Sequence, residues 1–305
     1  MRDSEIIFVF GLPRSGTTVL QRLLSSNNAV ITQDETWLLQ RMLSNDDNRF
    51  ASPSNYLTAI AASSRAFESL DDEIFRFCCD LIKRQAARFE GVEAVIEKTP
   101  RNYLYLNFFF RNSVKYVGIV RSPSAIINSM FNEFLGGTFR GLVDYEIDLA
   151  CGPNLMVQDA KQGSSLIVKY EDLNQRKTLD LIENYTGLTL DPNALPRLAA
   201  SIGDTNQNKS LVVVENVDFT GINTVVKKLY TKRAIRLHFE LYCQEFGYPL
   251  AEELKKLEYA RVSWCLHRNI VDLFWLTVFA VQKTSYQIYR RTRRTTNLSS
   301  SLSCS

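Results

Sequence analysis

One run near the start of the chain, Ile6-Ile7-Phe8-Val9-Phe10-Gly11-Leu12-Pro13-Arg14-Ser15-Gly16-Thr17-Thr18, admits few folds. Its apolar, mostly β-favouring opening, closed by a glycine, reads as a strand buried on both faces, as in a parallel sheet. Gly11 and Gly16 let the backbone bend closely around an anion, with the amides ahead of the next helix pointing inward. Val19, Leu20, Leu23 and Leu24 then fall on one stripe at helical spacing. That stripe packs the helix on the sheet and aims its N-terminus at the loop. The reading is strand, phosphate loop, helix.

The spacing is close to that of a nucleoside triphosphate loop, which needs Gly, four residues, Gly, then Lys and Ser or Thr. Thr17 stands where that Lys belongs, and Arg14 is the loop's cation. Such a loop lacks the usual partner of β- and γ-phosphates, yet it still suits a 5′-phosphate beside another anionic group. The plain alternative is a tight strand-to-helix turn without a ligand.

Strands and helices alternate beyond it. Ala29–Thr32 reads as a second strand, followed by Gln33-Asp34-Glu35-Thr36 and a helix through Trp37, Leu38, Leu39 and Met42. In doubly wound sheets the carboxyl ends of strands line the ligand crevice, which places Asp34 or Glu35 beside the loop. Asp34 also suits a helix N-cap, and Glu35 a first-turn acid favoured by the helix dipole. A helix from Asp71 to about Phe89 carries Ile74, Phe77, Cys78, Leu81 and Ile82 as its apolar stripe. Ala94–Lys98 is a strand ending on a cation, and Pro100 opens the helix that follows. Val114–Val120 runs into Arg121, with Ser122 placed as N-cap and Pro123 at the first helical position. Ile126, Ile127, Met130 and Phe134 give that helix its packing face, and Ser129 lies eight residues after Arg121. Ser165–Leu173 reads as a further central strand with a structural Tyr170-Glu171-Asp172-Leu173 ending, and Leu179–Tyr185 as a helix capped by Gly187. The polar stretch over 45–69 reads as a lid or acceptor-recognition element, or as a surface insertion. A short helix near Leu195, a strand at Leu211–Val214 and a basic run around Lys227, Lys228, Lys232 and Arg233 complete the domain up to Gly247-Tyr248.

Charge and cysteine usage exclude several classes. The formal charge of +3 is concentrated at the end, where Lys283, Arg290, Arg291, Arg293 and Arg294 follow Val281 with no acid among them. The rest is slightly acidic, with no base-reading motif, so nucleic acid is not an expected partner. Cys78, Cys79, Cys151, Cys243, Cys265 and Cys304 lack metal spacing and read as reduced thiols, with no metal site expected. The short polar lead before the first strand gives no export signal, and the expected location is cytoplasmic. The apolar segment Ile270–Val281 is too short to span a bilayer. It reads either as a peripheral membrane helix with a basic flank or as a helix packed on the domain or on a second copy.

The run Pro13 to Thr18 resembles the 5′-phosphosulfate loop of sulfotransferases that use 3′-phosphoadenosine 5′-phosphosulfate (PAPS), in the branch that includes the tyrosylprotein sulfotransferases. The resemblance extends to Asp34-Glu35-Thr36, Lys98 and the Arg121–Ser129 spacing. It implies an α/β, P-loop nucleotide-kinase-like three-layer fold with a central parallel sheet and a C-terminal helical extension. The expected division is 1–249 as the sulfotransferase domain, 250–297 as the extension and 298–305 as a disordered tail. It also implies sulfuryl transfer from PAPS to a hydroxyl, with adenosine 3′,5′-bisphosphate (PAP) as product and no metal. Glu35 would be the general base, and Arg14 and Lys98 would hold the transferring group and the leaving phosphate. Gly11, Pro13, Arg14, Ser15, Gly16, Thr17 and Thr18 would bind the 5′ side of the donor, and Arg121 and Ser129 its 3′-phosphate. The acceptor class is a carbohydrate, a lipid-linked molecule or a small natural product. Many soluble relatives use a His base, but His238 and His267 lie far along the chain from the loop. A kinase of the same fold and a non-catalytic membrane scaffold are the alternatives.

Overall fold

In the computed structural model, β1 (Glu5–Gly11), β2 (Val30–Thr32), β3 (Ala94–Lys98), β4 (Lys115–Val120) and β5 (Leu166–Lys169) pair in parallel in the order β2-β3-β1-β4-β5. The expected α/β class with a central parallel sheet is therefore present. The structure describes residues 5–27, 29–32, 35–43, 70–133, 135, 137–139, 142–191, 219–260, 262, 266–282 and 284. The expectations for Asp34, the 45–69 stretch, Phe134, the elements near Leu195 and Leu211–Val214, and the C-terminal arginines and tail lie outside those residues. The chain forms two compact units, Met1–Arg121 with Leu155–Asn216, and Ser122–Asn154 with Val217–Ser305.

The first unit holds the sheet. Side chains alternate across β1, so Ile7 and Val9 join Ile96, Val117 and Ile119 in one buried cluster with Leu20, Leu23 and Leu24 of α1 (Thr17–Leu24). Burying each such side chain contributes about 1.5–3 kcal/mol. The opposite face is aromatic. Phe8 stacks on Phe109 at 4.5 Å between centroids, and Phe75 stands 5.9 Å from Phe8. Room for Phe10 is made at Gly118 of β4, where an added Cβ would lie 2.6 Å from the Phe10 ring.

α2 (Leu38–Leu43) follows β2, and α3 (Leu70–Ala86) precedes β3. The packing face of α3 is Phe75, Cys78, Cys79, Ile82 and Ala86, whereas Phe77, expected on that face, is half exposed. The helix is rotated because Phe75 docks on the Phe8 and Phe109 rings. Cys78 and Cys79 are free buried thiols, and burial pushes the Cys79 thiol up to about 12. Pro100 opens a 3-10 turn, Pro100–Tyr105, rather than the expected α-helix, which begins at Leu106. Gly187 caps the helix Arg176–Thr186 in the left-handed region, as its position predicts.

The second unit is helical where it is described. Its helix Pro123–Glu133 receives an anion at the N-terminus from an unexpected source. Glu253, 1% exposed, accepts the Ser124 amide at 3.0 Å and the Ser122 and Ser124 hydroxyls at 2.7 Å each, and pairs with Lys256. Ser122, expected to cap with its own hydroxyl, donates that hydroxyl to the carboxylate instead. Burial would raise the Glu253 pKa, but the Lys256 ammonium and these donors outweigh it and hold the carboxyl below its usual value. A helix over 266–282 is tied to the start of the helix Val225–His238. Thr224 donates to Asp272 at 2.5 Å, the Val225 amide to Asn269 at 3.1 Å, and buried Lys227 stands 3.6 Å from Asp272.

Candidate functional site

The loop after β1 turns through two residues in the left-handed region, Arg14 (φ 71°) and Gly16 (φ 105°). Gly16 is the N-cap of α1 and brings no side chain to the first helical amides. The Val19 and Leu20 amides donate to the Gly16 carbonyl at 2.9 and 3.1 Å, so the Thr17 and Thr18 amides are the ones that this helix start offers to a ligand. An added Cβ at Gly16 would run into the Tyr170 ring. Ser15 is fully buried, and its hydroxyl has no hydrogen-bond partner among the described residues. Buried hydroxyls are normally satisfied, so an unmatched one in the turn just before a helix N-terminus suits a ligand oxygen.

The neighbouring strand ends bring charge to the same edge of the sheet. Lys98 closes β3 in register with Val9 of β1 and is 4% exposed, not the solvated strand-end cation that its terminal position allows. Its Nζ lies 2.6 Å from Oε1 of Glu35, which follows β2 on the far side of β3. The Glu35 side chain keeps 34% of its surface exposed. A carboxylate one-third exposed and a cation closed off from water therefore meet at the carboxyl ends of adjacent strands.

Glu97 holds that geometry, and sequence reading passed over it. Its carboxylate, 2% exposed, accepts Thr36 Oγ1 and Thr99 Oγ1 at 2.8 Å each and Asn102 Nδ2 at 2.6 Å. Asn102 also donates to the Val9 carbonyl of β1. The residue before Lys98 thus grips the residue after Glu35. Burial raises the Glu97 pKa above the usual carboxylate range, opposed by Asn102, Thr99, Thr36 and Lys98. The signal was an acid following the apolar run Ala94–Ile96 within the buried strand Ala94–Lys98, where only a paired carboxylate is tolerated.

Arg121 follows β4 and completes the row of strand ends within the first unit. Its guanidinium lies 4.2 Å from the centroid of the Tyr170 ring and donates to the Arg14 carbonyl at 3.2 Å. Tyr170, at the end of β5, reads from sequence as structural; here it forms the floor under the arginine. Ser129 belongs to the other unit, half buried on the helix Pro123–Glu133. Pro13 and Thr17 are buried, and Thr18 is exposed on the first turn of α1. Among the described residues no cluster of three or more His, Cys, Asp or Glu side chains could hold a metal. Nor does any described helix have the length and apolarity to cross a membrane.

The chain is 25% identical over 213 residues to the nodulation protein NoeE of Sinorhizobium fredii, covering 61% of this chain and 50% of that protein. It is 25% identical over 131 residues to protein-tyrosine sulfotransferase A of Caenorhabditis elegans, covering 43% of this chain and 34% of that one. It spans half or less of the length of these relatives. Among solved structures, the sulfotransferase domain of the Synechococcus PCC 7002 olefin synthase superposes with a TM-score of 0.49 at 20% identity, covering 82% of this chain and 97% of that one. The family model described as Sulfotransferase family matches residues 6–192, more than half of the chain and all five strands of the sheet, and the chain belongs to that family.

Proposed function

We propose that the protein transfers a sulfuryl group from PAPS to a hydroxyl acceptor, with Glu35 as general base. The observation that carries this reading is the Glu35–Lys98 pair, 2.6 Å apart beside a phosphate loop that lacks the lysine of triphosphate-binding loops. The donor supplies a sulfuryl group on a phosphate leaving group. The first-turn amides of α1 and the orphan Ser15 hydroxyl suit its 5′-phosphate. Arg121, its guanidinium 4.2 Å from the centroid of the Tyr170 ring, suits a phosphate dianion, and by sequence position Ser129 adds a hydroxyl to that role. Arg14, within the loop, steadies the transferring group.

Glu35 takes the acceptor proton, and that uptake cancels its charge and loosens its hold on Lys98. The lysine charge then becomes available as negative charge builds on the leaving oxygen. Glu97 acts as a positioning residue, fixing the backbone beside both partners.

The test is calorimetric titration with adenosine 3′,5′-bisphosphate beside magnesium ATP, on the native chain and on Arg121→Ala. Bisphosphate binding that weakens by about 1.5–3 kcal/mol in the variant is the expected outcome. Preference for magnesium ATP would replace this reading with a kinase, and a folded protein that binds neither would end it.

A further inference from the structure

The helix over 266–282 has two unlike sides. Asp272 is buried against Thr224 and Lys227, and Asn269 holds the Val225 amide, so this side is docked. Leu266, Ile270, Leu273, Phe274 and Val281 are each more than half exposed. At about 100° per residue these positions, with Thr277 between them, fall within an arc of about 100° turned away from Asp272. Large apolar side chains scattered singly need no explanation, but a continuous stripe along one helix does.

The charge around the stripe identifies what covers it. From Leu266 to the last residue Asp272 is the only acid, and it is already paired inside the unit. Arg268 on the helix is exposed, and the sequence that follows carries Lys283, Arg290, Arg291, Arg293 and Arg294. An apolar face continued by a cluster of cations, with no acid to repel, is complementary to a lipid surface bearing negative headgroups. A second copy would bring the same cations against themselves.

We propose that this face docks in the plane of an anionic membrane, with Leu266, Ile270, Leu273, Phe274 and Val281 in the headgroup boundary. The ion pair and hydrogen bonds at Asp272 and Asn269 fix the face on the protein rather than leaving it on a free tether. The proposal does not depend on the sulfuryl-transfer reading, because none of these residues belongs to the candidate site.

Vesicle co-sedimentation of the full chain tests it, with vesicles of neutral phosphatidylcholine and of a phosphatidylcholine–phosphatidylglycerol mixture. The expected result is binding to the anionic vesicles only, weakened about tenfold or more by Leu273→Ser with Phe274→Ser. Comparable weakening is expected from replacing the four arginines 290, 291, 293 and 294 with Gln. Circular dichroism of each variant establishes that it folds, and the exposed positions chosen make this the expected result. No binding, or binding that ignores the apolar substitutions, overturns the proposal. A dimer in light scattering that Leu273→Ser with Phe274→Ser dissolves, without vesicle binding, overturns it in favour of a second copy.

Discussion

Lys98 Nζ and Glu35 Oε1 are 2.6 Å apart although 63 residues separate them in the chain. The sheet accounts for the meeting, because β3 lies directly beside β2 and both run toward the same edge. On the proposed mechanism each partner holds the other's charge until the acceptor proton moves. Glu35→Gln keeps the shape but cannot accept that proton, and kcat is expected to fall about 10²- to 10⁴-fold. Bisphosphate affinity should stay unchanged. Single-turnover kinetics beside calorimetry checks both, and an unchanged kcat would remove Glu35 as the base.

On the same mechanism Lys98→Met removes the cation that meets the leaving-group charge, with an expected loss of about 10²- to 10³-fold in kcat. Because the two side chains act as a unit, the double variant should lose much less than the product of the two single losses. Multiplicative losses would mean that the pair is structural.

Two buried carboxylates should give stability profiles of opposite slope with pH. Glu97 has its pKa raised by burial, so its contribution is greatest at low pH and declines as pH rises through the shifted value. Stability of the native chain relative to Glu97→Gln should therefore fall on going from acid to neutral pH. Glu253 has its pKa lowered, so its contribution is present at neutral pH and is lost as pH falls below the usual carboxylate range. Relative to Glu253→Gln, the native chain should weaken on acidification. Urea unfolding at a series of pH values reads both slopes, and parallel slopes would contradict the assignment.

Gly16→Ala places a methyl group against the Tyr170 ring and forces φ 105° on an L-residue. A loss of about 1–3 kcal/mol in unfolding free energy is expected. Bisphosphate binding should weaken with it, because the same turn aims the helix amides. Unaltered binding in a folded Gly16→Ala protein would separate the loop from the donor.

The strands and the loop were legible because a parallel sheet demands continuous apolar runs and an anion loop demands glycine at fixed spacing. Lys98 and Glu35 were each legible as strand-end residues, but their distance was not, since no local pattern gives the order of strands. Glu97 was missed because its three donors come from Thr36, Thr99 and Asn102, and only Thr99 and Asn102 are near in sequence. Glu253 was missed for the same reason on a longer scale: it serves Ser122 and Ser124 from about 130 residues away. The Phe77 expectation failed because helical periodicity admits two neighbouring faces, and the Phe8 and Phe109 rings chose the one with Phe75.

The central place of β1 has a consequence for synthesis on the ribosome. Its two partners, β3 and β4, begin at Ala94 and Lys115, and the ring beside Gly16 belongs to Tyr170. A nascent chain therefore carries every residue of the phosphate loop long before it carries the walls that shape it. Domains generally fold as units, and strand pairing across such separations is slow. Donor binding by ribosome-bound chains of increasing length should consequently switch on only after Tyr170 has emerged, which makes the donor a reporter of sheet completion.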